Sequence, residues 1–231
     1  MVFKGKKHIF FDLDHTLWDF NLNSKLAYQQ IFQEEKISLD LDVFIKVYEP
    51  LNLEFWRKFR ENLITKEELR FQRLKTAFDA CNYPTTTEQI NKFADMYIAY
   101  LPNNNHLFAG CIQLLDQLKP KFKLHLITNG FFDVQHNKIN KSGLSKYFDV
   151  ILTADEAGVK KPDPKIFEIA LQKSGARVEE SVMIGDSLLA DIEGAQNIGM
   201  DSIWFKTTNE QTAHDQPYVE SLLDIFTYLS E

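Results

Sequence analysis

Five short apolar runs, separated by stretches with helical periodicity, limit the folds that this sequence of 231 residues can adopt. The runs are HIFFDL (8–13), KLHLITN (123–129), DVILTA (149–154), SVMIGD (181–186) and DSIWFK (201–206). Strands that alternate with helices form right-handed βαβ units, whose strands are parallel. The pattern therefore predicts an α/β fold with a doubly wound parallel sheet.

The long interval between the first and second runs has helical rather than strand-like patterns. Residues 18–102 contain several helical periods and no convincing strand. Thr65, followed by Glu68, has the spacing of a capping box, which marks the N-terminus of a helix. We predict an all-helical domain, 18–102, inserted into an α/β core made of 1–17 and 103–231.

The acidic composition argues against several classes of function. The net charge is -7 at pH 7, so a broad basic surface for nucleic acid is not expected. Cys81 and Cys111 stand far apart, without a CxxC or Cys/His pattern, which argues against a disulfide framework or a zinc site. The apolar run after Lys7 is too short for a signal peptide or a membrane span. We expect a cytoplasmic protein, a monomer or weak homo-oligomer, that binds neither nucleic acid nor membrane.

The first apolar run ends on two carboxylates, Asp12 and Asp14. Ligands of open parallel sheets bind at the carboxyl ends of the strands, so both side chains lie where a site is expected. Two like charges this close cost several kcal/mol unless a cation lies between them or one group is protonated. The pair suggests a divalent metal, although a turn with a helix cap would also account for it.

Three later segments also place polar side chains where an apolar run stops. TNG (128–130) offers a hydroxyl, an amide and a flexible backbone, which are suited to holding a phosphate. GVKKPDP (158–164) supplies a lysine ahead of a proline, and Asp186 and Asp191 follow the fourth run. Each segment alone is more often a turn or a solvated surface. In one parallel sheet, however, all of them converge on a single crevice.

The order of DLDHT, ITNG, KKPDP and GDSLLAD resembles the four motifs of the haloacid dehalogenase (HAD) superfamily, specifically its phosphohydrolases. A helical insertion between the first two motifs is typical of the members with an all-helical cap. The segments ITNGFFDVQ, GVKKPDPKIF and LNLEFWRKFRENLITKEELRFQRL are similar to bacterial pyrimidine 5′-nucleotidases. The resemblance thus implies a Rossmann-like core with an inserted helical cap.

The same resemblance implies a Mg²⁺-dependent phosphomonoester hydrolase that forms an aspartyl-phosphate, with a nucleoside 5′-monophosphate as the expected substrate. Asp12 is then the nucleophile, and Asp14 protonates the leaving oxygen and later activates water. The implied phosphate-binding residues are Thr16, Thr128, Asn129 through its backbone, Gly130 and Lys161, the last in preference to Lys160. The implied metal ligands are Asp12, the backbone carbonyl of Asp14, Asp186 and Asp191, the last directly or through water.

The helical insertion is expected to close over the crevice and to present aromatic side chains to the leaving group. The candidates are Trp18, Phe20, Trp56, Arg57, Phe59, Arg60, Arg70, Phe71 and Arg73. A flat aromatic face favours a nucleobase. Aromatic residues at helical spacing are, however, more often part of a core.

Other activities remain open at this point. A sugar-phosphate phosphatase or a phosphoglucomutase-like enzyme shares all four motifs. A dehalogenase needs neither an acid at position 14 nor a metal, a phospho-receiver needs no cap, and an inactive binding protein is expected to lack a motif residue. His15 stands where many family members have glycine, and we interpret it as a loop residue at the cap hinge, with a role as an extra base left open. No role is assigned to the other histidines, which are His8, His106, His125, His136 and His214.

Overall fold

The structure is a computed structural model that describes residues 3–207 and 216–229. These residues form two compact units. One is built from the chain up to Phe20 and from Asn105 onward, and the other from Asn21–Asn104. Each unit has its own buried core.

The second unit is helical. Its elements are α1 (Phe20–Glu34), which begins at the last residue of the first unit, α2 (Leu41–Arg60), α3 (Lys66–Ala80), α4 (Thr87–Tyr100) and a 3₁₀ turn (Leu101–Asn103). The Thr65 hydroxyl accepts a hydrogen bond from the Glu68 backbone N–H, and the Glu68 carboxylate accepts one from the Thr65 N–H. The predicted capping box is thus confirmed. The functional division into a core and a cap at 18–102 stays a prediction.

Aromatic rings form the core of the helical unit. The Tyr28 ring packs against Tyr48 and Tyr97, with centroids 4.7 and 4.6 Å away. The Arg73 guanidinium is buried, lies 5.2 Å from the Tyr97 centroid and donates a hydrogen bond to Asn52 Oδ1 at 2.9 Å. Arg73, which the sequence offered as a contact for a leaving group, therefore contributes to packing inside this unit.

Two further arginines from the same set have acidic partners within the helical unit. Arg57 pairs with Glu54 and Glu61, with nitrogen–oxygen distances of 2.8 and 2.7 Å. Arg70 pairs with Asp95 at 2.6 Å. These ion pairs give both side chains a structural contact that involves no ligand.

The first unit is built around one parallel sheet. Its strands are β1 (His8–Phe11), β2 (Lys123–Thr128), β3 (Phe148–Thr153), β4 (Ser181–Gly185), β5 (Asp201–Phe205) and β6 (Tyr218–Val219). They lie in the order β3-β2-β1-β4-β5-β6, and all neighbours are parallel. This confirms the predicted α/β fold, with β1 to β5 at the five apolar runs and only β3 beginning one residue before its run. The two-residue strand β6 is too short to produce a periodicity and was not predicted.

Helices alternate with these strands. They are α5 (Cys111–Leu118), α6 (Phe132–Lys141), α7 (Ala154–Ala157), α8 (Pro164–Ser174) and α9 (Gly194–Gln196), with 3₁₀ turns at Ser145–Tyr147, Val178–Glu180 and Leu222–Thr227 and a π-helix at Leu188–Glu193. A core cluster that includes Phe10, Ile127, Phe167 and Met183 packs α8 against the sheet. No helix within the described ranges is both long and apolar enough to cross a membrane.

The two backbone segments that flank the inserted helices are hydrogen-bonded to each other within the first unit. The Asp19 N–H donates to the His106 carbonyl at 3.0 Å, and the Phe108 N–H donates to the Leu17 carbonyl at 3.0 Å. The chain therefore leaves the sheet unit and returns to it at one place.

Two buried histidines on β1 and β2 contact each other. His8 Nδ1 lies 3.0 Å from His125 Nε2, and the two rings are stacked with centroids 5.3 Å apart. Burial lowers the pKa of both imidazoles, that of His125 to about 4. The folded protein therefore holds this pair neutral at a pH where histidines of the unfolded chain already bind protons.

We expect this pair to lower stability in acid. Between the unfolded pKa of about 6.5 and the folded pKa of about 4 for His125, the unfolded state binds more protons, so the free energy of unfolding falls as pH falls. Between pH 7 and 4.5, urea denaturation should show a fall that is about 2 kcal/mol smaller in His125→Gln than in wild type. His106→Gln, which changes an exposed histidine, serves as the control. Equal falls in wild type and His125→Gln would contradict the expectation.

Candidate active site

Asp12 lies at the carboxyl end of the central strand. Its backbone N–H donates to the Ile184 carbonyl at 2.9 Å, which continues the pairing of β1 with β4 by one residue. The residue is buried, with 7% of its surface exposed. A carboxylate buried at this position meets the ends of both neighbouring strands, because β1 lies between β2 and β4.

The partner of Asp12 is Lys161. The ammonium of Lys161 is buried and lies 2.6 Å from Asp12 Oδ1, 2.6 Å from Asp191 Oδ1 and 2.7 Å from the Ile127 carbonyl oxygen. Burial disfavours the ammonium, but the charges of Asp12 and Asp191 outweigh that cost and raise the pKa of Lys161 above its ordinary value. Lys161 is thus a fixed positive charge at the strand ends.

Asn129 holds the backbone of Lys161. Its Oδ1 accepts a hydrogen bond from the Lys161 N–H at 2.8 Å, and its Nδ2 donates to the Lys161 carbonyl at 3.0 Å. The amide therefore joins the loop after β2 to the loop that carries the lysine. We predicted that the backbone of Asn129 binds phosphate, and this stays a prediction, because the bridge uses only the side chain.

Three carboxylates form a cluster at the ends of β1 and β4. Oxygens of Asp12, Asp186 and Asp191 all lie within 4.8 Å of one another. Asp186 Oδ1 accepts a hydrogen bond from the Thr16 hydroxyl at 3.3 Å, so Thr16, predicted to bind substrate, contacts a carboxylate. Burial raises the pKa of Asp12 to about 7 and raises the pKa of Asp186 well above its ordinary value.

The charges and donor atoms of this cluster fit a divalent cation. The cluster has three carboxylates, and among the described ion pairs the only ammonium that contacts it is that of Lys161. The negative charges therefore outnumber the positive charge, which is unfavourable where the groups are shielded from water. All the donor atoms are oxygens, the ligand type that Mg²⁺ prefers. The carboxylates of Asp12, Asp186 and Asp191, which we predicted as metal ligands, therefore suit the ion. The predicted ligand atom of Asp14 is its backbone carbonyl oxygen, and this part stays a prediction.

The GDSLLAD segment has the local features that bring Asp191 into the cluster. A Cβ atom on Gly185 would lie 2.3 Å from Asp191 Oδ2, so only glycine leaves room for this carboxylate at the end of β4. The Ser187 N–H donates to Asp191 Oδ2 at 3.0 Å, and the Ser187 hydroxyl accepts from the Ala190 N–H at the start of the π-helix. The positions of Gly185, Ser187 and Asp191 in this motif are thus explained by the packing and hydrogen bonds of the Asp191 carboxylate as well as by its chemical role.

The carboxylate of Asp14 contacts helix α6. Lys138 Nζ lies 2.8 Å from Asp14 Oδ1 and 3.0 Å from Asp14 Oδ2, and Gln135 Nε2 donates to Asp14 Oδ2 at 3.1 Å. Gln135 also donates to the Thr128 hydroxyl oxygen at 2.6 Å, which in turn accepts from the Gly130 N–H at 3.2 Å. Our interpretation of the sequence missed Gln135 and Lys138. No pattern in the sequence of α6 indicated that these two side chains would contact Asp14.

His15 lies in the loop between the two strand-end aspartates and the helical unit. Its φ of 63° is in the left-handed region, and its ring lies 4.9 Å from the Phe20 centroid. Burial lowers the pKa of the imidazole. Its interpretation as a hinge residue stays a prediction. His214, to which no role was assigned, lies outside the described residues.

Comparison with known proteins shows the family. The model of haloacid dehalogenase-like hydrolases matches residues 9–205. The chain belongs to this family. This HAD protein is 32% identical over 228 residues to the pyrimidine 5′-nucleotidase PynA of Streptococcus pneumoniae, covering 96% of this chain and 92% of PynA. It is 28% identical to the pyrimidine 5′-nucleotidase YjjG of Escherichia coli, covering 96% and 93% of the two chains.

Relatives with other substrates also match this HAD protein along most of its length. It is 31% identical to a glyceraldehyde 3-phosphate phosphatase of Methanothermobacter thermautotrophicus, covering 93% of this chain and 91% of that protein. The magnesium-bound structure of the HAD-hydrolase YfnB of Bacillus subtilis superposes with a TM-score of 0.86 at 26% identity, covering 97% and 98% of the two chains. The chain is therefore a phosphatase of the HAD family, in which Mg²⁺ is the usual metal.

Proposed function

We propose that this phosphatase hydrolyses nucleoside 5′-monophosphates, with pyrimidine nucleotides preferred, through a covalent intermediate on Asp12. The observation that carries the chemical part of the proposal is the pairing of Asp12 with Lys161 at 2.6 Å beside two further carboxylates. The two pyrimidine 5′-nucleotidases that match nearly the whole chain support the substrate class.

In the first step, an Asp12 carboxylate oxygen attacks phosphorus and the bond from phosphorus to the ribose 5′ oxygen breaks. Asp14 donates a proton to that oxygen, so the nucleoside leaves as a neutral alcohol. Lys161, the Thr128 hydroxyl and the backbone N–H groups of Asn129 and Gly130 hold the phosphoryl oxygens. The product of this step is the aspartyl-phosphate.

In the second step, water attacks the phosphorus of the aspartyl-phosphate. Asp14, now a carboxylate, accepts a proton from this water, and the bond between phosphorus and the Asp12 oxygen breaks. Inorganic phosphate leaves, Asp12 is regenerated as a carboxylate and Asp14 is again protonated. Asp12 and Asp14 thus take different parts because they have different partners, Lys161 for the first and Lys138 with Gln135 for the second.

The metal part of the proposal uses the same cluster. Asp12, Asp186, the backbone carbonyl of Asp14 and, directly or through water, Asp191 would hold Mg²⁺. When bound there, the ion supplies positive charge that offsets the charge of the phosphoryl group. The enzyme is expected to act as a monomer or a weak homo-oligomer on this small substrate.

A substrate panel tests the proposal. We expect kcat/KM for a pyrimidine nucleoside 5′-monophosphate to exceed that for hexose or triose phosphates at least about tenfold, which corresponds to about 1.4 kcal/mol. Phosphate release should match nucleoside release one to one, which also separates hydrolysis from phosphoryl transfer to a second sugar. A sugar-phosphate phosphatase is the second candidate, because the relatives include a glyceraldehyde 3-phosphate phosphatase. Equal or faster turnover of triose phosphates would favour this second candidate.

A further inference from the structure

We propose that Lys138 and Gln135 are positioning residues for Asp14, and that α6 thereby orients the acid/base group of the reaction. This inference rests on the role given to Asp14 in the proposed function. It concerns two side chains that lie outside the DLDHT, ITNG, KKPDP and GDSLLAD segments.

The contacts of Lys138 leave the Asp14 carboxylate little freedom. Lys138 is 2% exposed, and its ammonium is within 3.0 Å of both carboxylate oxygens. The same ammonium lies 4.3 Å from the Trp18 ring centroid and 5.3 Å from that of Phe20. A buried ammonium is costly unless charges and aromatic faces surround it, so its position is fixed by these neighbours. A carboxylate held at both oxygens by a fixed cation is restricted in its rotation about the Cβ–Cγ bond.

Gln135 links the acid/base group to the phosphate-binding loop. Its Nε2 donates to Asp14 Oδ2 at 3.1 Å and to the Thr128 hydroxyl oxygen at 2.6 Å. One amide nitrogen therefore sets the separation between the group proposed to protonate the leaving oxygen and a group proposed to hold a phosphoryl oxygen. A Cβ atom on Gly130 would lie 2.3 Å from Gln135 Cδ, so glycine at this position also makes room for the bridge.

Two lysines serve the two aspartates separately. Lys161 contacts Asp12 and Asp191, whereas Lys138 contacts Asp14. Loss of the Lys138 contact should therefore impair proton transfer to the leaving group without removing the partner of the nucleophile. Such a defect depends on the leaving group, because p-nitrophenolate leaves without protonation, whereas an alkoxide does not.

The experiment measures kcat/KM, which reports the steps up to formation of the aspartyl-phosphate, for Lys138→Met with two substrates, p-nitrophenyl phosphate and the best alkyl phosphate of the substrate panel. We expect a loss of about 100-fold with the alkyl phosphate and less than about threefold with p-nitrophenyl phosphate. Asp14→Asn should show the same selectivity, and the double variant should lose no more than Asp14→Asn alone. Lys141→Met is the matched control, since it removes an exposed lysine from the same helix.

Gln135→Leu provides a second test, because it leaves the ion pair of Lys138 with Asp14 in place. If Lys138→Met does not fold, this variant alone tests the inference. We expect about a tenfold loss that is again confined to the alkyl phosphate. Suppose that Asp14→Asn loses activity only with the alkyl phosphate. Equal losses with both substrates, or no loss with either, in folded Lys138→Met or Gln135→Leu would then overturn the inference. If Asp14→Asn itself is not selective, the role proposed for Asp14 is wrong, and the inference fails with it.

Discussion

Asp12→Asn should lower kcat at least about 10⁴-fold while the protein stays folded. Asparagine has the size of aspartate, but its amide oxygen carries no charge and does not form a stable bond to phosphorus. The ammonium of Lys161 keeps the Asp191 carboxylate and the Ile127 carbonyl as partners, so the substitution does not leave it isolated. Steady-state phosphate release and thermal unfolding, measured on the same preparation, check both parts of this expectation.

Asp149→Asn is the control for this variant. Asp149 is exposed, lies near the start of β3 and pairs with Lys119, so it lies at the opposite end of the sheet from Asp12. Its replacement should leave kcat within about twofold of wild type. Turnover by folded Asp12→Asn within tenfold of wild type would exclude a covalent role for Asp12.

Removal of the metal should have the second largest effect. We expect EDTA to lower phosphate release at least about 100-fold and added Mg²⁺ to restore it, because two buried carboxylates, the half-buried carboxylate of Asp186 and a phosphoryl group otherwise share one ammonium. Mg²⁺ should also stabilise the protein in the absence of substrate. At about 100 times its Kd, a ligand of the folded state adds about 2.7 kcal/mol to the free energy of unfolding.

Asp186→Asn separates this metal effect from a general salt effect. Thermal unfolding of wild type should shift upward by several degrees in Mg²⁺ relative to the same concentration of a potassium salt of equal ionic strength, and the variant should lose most of this shift. Full activity in EDTA, or recovery with zinc alone, would refute the magnesium assignment.

The position of the site at the strand ends could be predicted from the sequence. In a parallel sheet the carboxyl ends of all strands lie at the same edge, so residues that follow different strands come close together. Asp12 and Asp186 each follow a buried run, and the order of the sheet places their strands side by side. Helix caps were also predictable, because a capping box such as that at Thr65 depends on residues only three positions apart. These features rest on local pattern or on a general rule of topology.

The remaining features depend on side-chain contacts between distant segments. Lys138 and Asp14 are 124 positions apart in the sequence, and neither the helical period of α6 nor its composition indicates that they meet. The bridge from Asn129 to the backbone of Lys161 spans 32 positions and is invisible for the same reason. Pro50 lies inside α2, a position that the low helix propensity of proline does not predict.

The hydrogen bonds that join residues 17–19 to residues 106–108 affect which changes of sequence the protein tolerates during evolution. Because these backbone segments are hydrogen-bonded to each other, the residues between them are equivalent, for the folding of the sheet unit, to one long loop with fixed ends. The entropy cost of closing a loop rises only with the logarithm of its length, about 0.6 kcal/mol per doubling. Insertions, deletions or exchanges of sequence in this interval are therefore inexpensive for the sheet unit, in which Asp12 and Lys161 stay in place.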